Sequence, residues 1–381
     1  MVFRVVHSGT GMIGRAALDG ILNHPELELV GMYVHSPEKL GKDVGVFINR
    51  DAVGIKTTDR WDELLALKPD CLSYMSNSIG REVDAANDVC RFLERGVNAV
   101  TASIFAWAYP PAVPPEFAHV HAACVKGRSS VYFSGSDPGW ATTDMAIAAL
   151  QMADHVECVR VCELGYWGNY EAEYVCREYF GFGQPPGFVP LLIKGGFLEQ
   201  MWRPTLMNLC EAMGVQIEDW NVVHETDCLD HDVDTGFGVV RAGTASVVHF
   251  ELQAINGGRP VAVVEHVDRV GRGAGPQWKA PCGPGEFAFR IEVEGTPSCW
   301  VEHQMVHDLQ IHMVSGRMGN VTNGKSTAMP LINAIPAVCR AEPGLLGPRD
   351  VVHCITRNVR RVSQKPETML KRQHSSTASN V

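Results

Sequence analysis

Over its first 140 residues the chain alternates short apolar runs with amphipathic stretches. Residues 2–7 are apolar enough for a strand, and the segment after Gly11 sets Ile13, Ala17, Leu18, Ile21 and Leu22 on one helical face. The same reading gives strands at 27–34, 70–75, 97–101 and 130–134, and helices at 61–67, 82–94 and around 118–126. Repeated strand–helix order with right-handed crossovers predicts an α/β fold on a doubly wound parallel sheet.

The pattern changes near residue 140. One more helix is predicted at 142–152 and a strand at 158–163, and from about 245 long strands follow at 246–254, 261–267, 286–294 and 300–306. Phe287, Phe289, Ile291 and Val293 alternate with polar residues, as one half-buried face of a sheet does. A second, α+β domain with a largely antiparallel sheet is expected over 141–325. Residues 327–339 are apolar and helical in character, with Pro330 and Pro336 expected to interrupt them. Residues 326–360 are expected to return to the first domain (1–140), and 361–381, rich in Lys, Arg, Ser and Thr, to form a disordered tail.

Composition narrows the function. The net charge is −10, and no dense Lys/Arg run precedes the tail, which argues against nucleic acid as a partner. The 12 cysteines are scattered without a C-x-x-C pair, so reduced thiols in a cytoplasmic protein are expected, and the absence of a recognisable signal peptide agrees. Every apolar run is too short to span a bilayer, so no membrane partner is expected.

The strongest motif is Gly9-Thr10-Gly11-Met12-Ile13-Gly14. It follows a predicted strand and opens an amphipathic helix, the context in which G-x-G-x-x-G binds a dinucleotide. Gly9 makes the tight turn, Gly11 lets a pyrophosphate approach the backbone, and Gly14 lets helix and strand pack closely. The residues after the second strand read Tyr33-Val34-His35-Ser36-Pro37-Glu38-Lys39, with no acid at the strand end to take a ribose 2′-OH. Ser36, Lys39 and His35 suit a 2′-phosphate, so NADP is favoured over NAD. The expected cofactor-contact set is Gly9, Thr10, Gly11, Met12, Ile13, Gly14, His35, Ser36, Lys39, Ser76, Asn77, Ser103, Asp137 and Asn333.

Several segments carry a wider likeness: Gly9 to Gly14, the stretch LELVGMYVHSPEKLG, Pro138-Gly139-Trp140, Phe180-Gly181-Phe182-Gly183, residues 265–270 with Pro276-Gln277-Trp278, and Asn333-Ala334-Ile335-Pro336. Together they resemble the dihydrodipicolinate reductase-like group that includes 2,4-diaminopentanoate dehydrogenase and the native amine dehydrogenases. The resemblance runs from residue 1 to about 350. It implies a Rossmann domain, a C-terminal α/β domain, a homodimer, and reversible hydride transfer between a nicotinamide and a C=N group. It also implies an acidic pair before a Tyr-Pro, with a glutamate activating ammonia or the imine. Counting back from Tyr109-Pro110, that pair falls on Phe105 and Ala106, so the glutamate is missing. Asp137 stands where the group commonly has Asn.

An apolar pair cannot accept a proton from ammonium. The sequence reading is therefore an NAD(P)H-dependent reductase acting on a hydrophobic carbonyl, imine or activated alkene. Two alternatives stand beside it: an amine dehydrogenase with a substitute acid such as Glu173, and a non-catalytic NADP-binding regulator. The pocket is expected to be lined by Phe105, Trp107, Trp140 and Tyr174. Tyr166, Tyr170 and Tyr174, at i, i+4, i+8 spacing, are expected to share one helical face, with Tyr166, Tyr170 and Glu173 as catalytic candidates. His303 and His307 with Asp308 lack a third ligand pattern, and no metal is predicted.

Overall fold

The computed structural model of the chain describes residues 1–271, 273–283, 287–304, 319–352 and 354–358. His307, Asp308 and the expected tail lie outside the described residues. The fold is α/β, with two sheets. Six strands of the first come from the N-terminal part: β1 (Phe3–Ser8), β2 (Leu27–Tyr33), β3 (Thr57–Thr58), β4 (Cys71–Tyr74), β5 (Asn98–Thr101) and β6 (Ser130–Phe133). The chain then leaves for the second domain through β7 (His155–Tyr166), β8 (Asp219–Cys228), the short hairpin β9 (Val233–Thr235) and β10 (Gly238–Val240), and β11 (Ala245–Asn256). β12 (Arg259–Arg269), β13 (Phe287–Thr296) and β14 (Cys299–Gln304) complete it, and β15 (Gly344–Leu346) returns to the first sheet.

The first sheet has the order β15-β6-β5-β4-β1-β2-β3, and all its pairs are parallel. The chain winds outward from β1 to β2 and β3, then resumes on the other side at β4. The crevice between β1 and β4, at their carboxyl ends, is the topological switch point where such sheets bind ligands. Helix Met12–Asn23 covers one face with Ala17, Leu18 and Ile21 buried. Helix Gly319–Val338 lies against it so closely that a Cβ on Gly20 would meet Met329 Sδ at 2.9 Å.

Pro330 and Pro336 do not interrupt that last helix; both sit inside it. Each removes one backbone donor, but Leu331, Ile332, Ala334, Ile335 and Val338 are all buried in the core behind the first sheet. Packing of that apolar face outweighs the lost hydrogen bonds.

The second sheet has the order β14-β13-β7-β12-β11-β8, antiparallel except for the β7–β12 pair. Its inner face, with Val159, Val161, Phe250, Val264 and Ile291, packs on helix Phe197–Met213 through Trp202, Leu206 and Leu209. The parallel pair sets Glu163 opposite His266 on that inner face. Among the described residues no helix is long and apolar enough to cross a membrane.

Candidate active site

A cleft of about 590 Å³ opens at the carboxyl ends of β1, β2, β4 and β5. Gly9, Thr10, Gly11, Met12, Ile13, Gly14, His35, Ser36, Ser76, Asn77 and Ser103 line it, with Tyr33, Ser78, Arg81 and Phe105. The glycines have distinct physical reasons. Gly9 sits at φ +130°, and a Cβ there would meet the Met75 carbonyl oxygen at 2.6 Å. A Cβ on Gly14 would lie 2.4 Å from the Gly9 oxygen, so that position is closed by its own loop. A Cβ on Gly11 meets nothing within 4 Å and would project into open space at the helix start. Gly11 is also the N-cap and has no side chain to satisfy the first helical N–H groups, which leaves them for an anion.

His7 braces this loop from beneath and was not legible as a site residue. Its Nε2 donates to the Gly9 oxygen at 2.9 Å, which leaves Nδ1 to accept from the Ser73 hydroxyl at 3.1 Å. Burial holds its pKa down at about 4, so it remains neutral. Above the loop, Lys39 Nζ donates to Thr10 Oγ1 at 2.8 Å. Arg81 also lines the cleft, positioned by the Tyr74 hydroxyl and Asp88, each at 3.1 Å. No carboxylate appears in the lining, so the described wall is neutral or positive. These residues fit a dinucleotide: the open backbone donors would hold a pyrophosphate, and Arg81 adds a cation to the wall.

Phe105 forms the far wall of the cleft and packs on Phe133 at the end of β6, centroids 5.5 Å apart. Four residues on, Asp137 enters a buried cluster at the junction of the two domains. Asp137 Oδ1 accepts from the Thr142 hydroxyl at 3.0 Å, and Oδ2 from Trp202 Nε1 at 2.9 Å. His266 Nε2 stands 3.2 Å from Asp137 Oδ2, and its ring is stacked on Phe250 and edge-on to Trp202. Polar atoms of Asp137, Glu163 and His266 all lie within 4.8 Å of one another. Asp268, two residues along β12, accepts from Trp167 Nε1 at 2.8 Å and reaches His266 Nδ1 at 4.0 Å.

This cluster holds three carboxyl groups and one imidazole, and no Lys or Arg side chain bonds to any of them among the described residues. Its charge is balanced with protons. Burial, reinforced by Asp137 and Asp268, pushes Glu163 up to about 8, and burial raises Asp268 to about 6. Burial alone would lower His266, but the charges of Glu163 and Asp137 outweigh it and hold it at about 9. Glu163 and His266 thus titrate together: burial favours a proton on Glu163, and where that proton leaves, the carboxylate favours the imidazolium.

A stability consequence follows. Glu163 lies above the ordinary 4.5 and His266 above the ordinary 6.5, so between pH 6.5 and 8 the folded chain keeps protons that the unfolded chain releases. Stability therefore falls as pH rises through that window. Thermal melts at pH 6.5 and 8 are expected to show a lower Tm at pH 8 and a shallower drop in Glu163→Gln. A Tm that rises with pH would contradict the assignment.

Other sequence expectations are relocated. Tyr166, Tyr170 and Tyr174 do not share a helical face: Tyr166 ends β7, Tyr170 packs on Trp167 in the following turn, and Tyr174 is exposed. The strand runs on where a helix was expected because Glu163 to Tyr166 are paired to β12. Glu173 is exposed and its carboxylate is bonded by Arg177 at 3.0 Å. Trp107 is fully buried in the core beneath the sheet instead of lining the cleft. Trp140 lines a different cavity and meets His303 edge-on. Asn333 lies inside the last helix, not at its cap, and neither it nor Asp137 lines the cleft.

A second group, His249, Glu251 and Glu265, gathers on the outer face of the second sheet, where Arg160 and Lys279 bridge its carboxylates. We assign no metal to either group.

No family model matches the chain. It is 29% identical over 347 residues to an amine dehydrogenase of Streptomyces virginiae, covering 90% of this chain and 94% of that protein. The structure resembles that of an amine dehydrogenase from Mycobacterium smegmatis with TM-score 0.68 and 19% identity, over 93% of this chain and 98% of the other. It also resembles GenD2 from gentamicin A biosynthesis, solved in complex with NAD, with TM-score 0.51 and 13% identity over 92% and 90% of the two chains. These likenesses bear out the resemblance and the α/β fold read from the sequence. With them the chain is an oxidoreductase.

Proposed function

We propose that this oxidoreductase, similar to the amine dehydrogenases, transfers hydride reversibly between NADP(H) and the C=N carbon formed from a hydrophobic carbonyl compound and ammonia. The observation that carries the reading is the buried excess of carboxyl groups at the domain junction. Asp137, Glu163 and Asp268 face one imidazole without a guanidinium or ammonium partner, which suits a substrate whose nitrogen becomes cationic. They stand in for the acid missing at Phe105 and Ala106, a role that the exposed Glu173 is badly placed to take.

When bound, the nicotinamide supplies or accepts the hydride. The protein's part is binding and proton transfer. Gly9 to Gly14 and the helix N-terminus would hold the pyrophosphate, and Phe105 would set the apolar wall against which the substrate packs. Glu163, protonated at pH 7, donates its proton toward the substrate nitrogen, and His266 and Asp137 fix its position and redistribute charge. A second reading, direct reduction of a carbonyl or activated alkene, is favoured by the apolar Phe105–Ala106 pair. Incubation with NADP⁺ and hydrophobic primary amines or the matching alcohols separates the two. Amine-dependent NADPH formation with release of ammonia is expected, and oxidation of alcohols alone would overturn the first reading.

The NADP preference rests on Lys39 and Arg81 and on the missing acid after β2. Lys39→Ala and Arg81→Ala are each expected to weaken NADPH binding about tenfold, the scale of one charge-assisted hydrogen bond, and NADH binding less than threefold. Equal losses for the two nucleotides in a fluorescence titration would contradict this. A homodimer in the cytoplasm belongs to the same proposal.

A further inference from the structure

We propose that a second cavity, beside residues 140–150, binds a primary ammonium ion with an apolar body, held by the carboxylate of Asp144. The cavity has a volume of about 390 Å³ and shares no lining residue with the nucleotide cleft. Tyr132, Trp140, Met145, Pro330, Ala334 and Cys354 form part of its wall. Asp144 is set into that wall, its Oδ1 is fully enclosed, and it has no hydrogen-bond partner among the described residues.

Enclosure without a partner costs free energy, so a native carboxylate left in this state calls for a ligand that completes it. Arg349, the one cationic side chain among the described lining residues, is already taken by Glu211. Burial pushes Asp144 up to about 7, as it does a carboxyl group that lacks a compensating charge. A neutral donor would supply a hydrogen bond and leave the charge unbalanced, whereas an ammonium group supplies both. Apart from Gln151 and Arg349 the wall is mostly apolar, and Trp140, whose ring is partly exposed, belongs to it, so the ligand's body is a hydrocarbon chain or ring. The volume lies toward the small end of the range for small-molecule sites, about 300–1,000 Å³. This site does not rest on the reaction proposed above, because neither Glu163 nor His266 takes part in it.

The test is calorimetric titration of the full chain, without nucleotide, with n-hexylammonium and with 1-hexanol as the neutral probe. Saturable ammonium binding is expected, with the alcohol at least tenfold weaker. Asp144→Asn is expected to weaken ammonium binding at least tenfold, and Glu173→Gln, at an exposed carboxylate that lines neither cavity, to leave it within twofold. Asp144→Leu serves as a second variant: it removes an unpartnered carboxyl group, so its Tm is expected to match or exceed that of the parent while ammonium binding is lost. Absence of saturable binding, equal binding of the alcohol, or ammonium binding that survives both Asp144 variants would overturn the proposal. So would binding lost in Glu163→Gln but kept in Asp144→Asn, which places the amine at the domain junction.

Discussion

Glu163→Gln is expected to lower reductive turnover at least about 100-fold, the low end of what a positioned acid contributes, with NADPH affinity within about twofold of the parent. Glu163 lies in β7, opposite His266 in β12, and lines no part of the nucleotide cleft. The amide keeps the size of the side chain and can still hydrogen-bond Asp137, but it carries no transferable proton. The pH profile separates this from a packing effect. Parent turnover in the reductive direction falls as pH rises past about 8, where Glu163 loses its proton, and that limb is absent from whatever activity the variant retains. A variant with parent-like turnover, or one with the same alkaline limb, would remove Glu163 from the reaction.

Gly11→Val is expected to weaken NADPH binding by about 100-fold or more, which corresponds to the loss of two or three hydrogen bonds to a charged phosphate. The fold should survive, because a Cβ at residue 11 meets no atom within 4 Å. Gly14→Val makes the contrast. There the Cβ would lie 2.4 Å from the Gly9 oxygen, so the loop itself must break and Tm should fall along with binding. Calorimetric Kd values beside thermal melts distinguish the two. Unchanged NADPH affinity in Gly11→Val would show that the dinucleotide lies elsewhere.

The nucleotide cleft was legible because its determinants are local. Six residues, Gly9 to Gly14, encode the turn, the open approach and the close packing, and a strand and a helix on either side confirm them. Lys39, close in sequence to β2, meets the loop through Thr10 but is not among the residues that line the cleft. Arg81 and His7 were not legible: Arg81 lines the cleft and His7 bonds Gly9 directly, but both are positioned by neighbours that the sheet brings, Tyr74 and Ser73 of β4. The junction cluster was less legible still. Asp137, Glu163, His266 and Asp268 are scattered along the chain, and their meeting depends on the parallel register of β7 and β12, which hydrophobic alternation does not specify. His266 reads in the sequence as one histidine in a strand, and Asp137 as a departure in a motif.

The tyrosine face failed for a related reason. Spacing of i, i+4, i+8 is helical only if the backbone is, and strand pairing carried β7 through Tyr166. The prolines of the last helix show the converse, local signals overruled by a buried face. Trp107 followed the general rule that a large aromatic next to a cleft is more often core than lining.

We propose that the carboxyl groups at the junction take the role that the resemblance would give to an acid at Phe105 or Ala106, the handling of a nitrogen substrate. This is tested most directly by NADPH consumption with a hydrophobic ketone, measured with and without ammonia. Turnover that requires ammonia and yields the primary amine is the predicted result. Equal NADPH consumption without ammonia, with the alcohol as product, would contradict it.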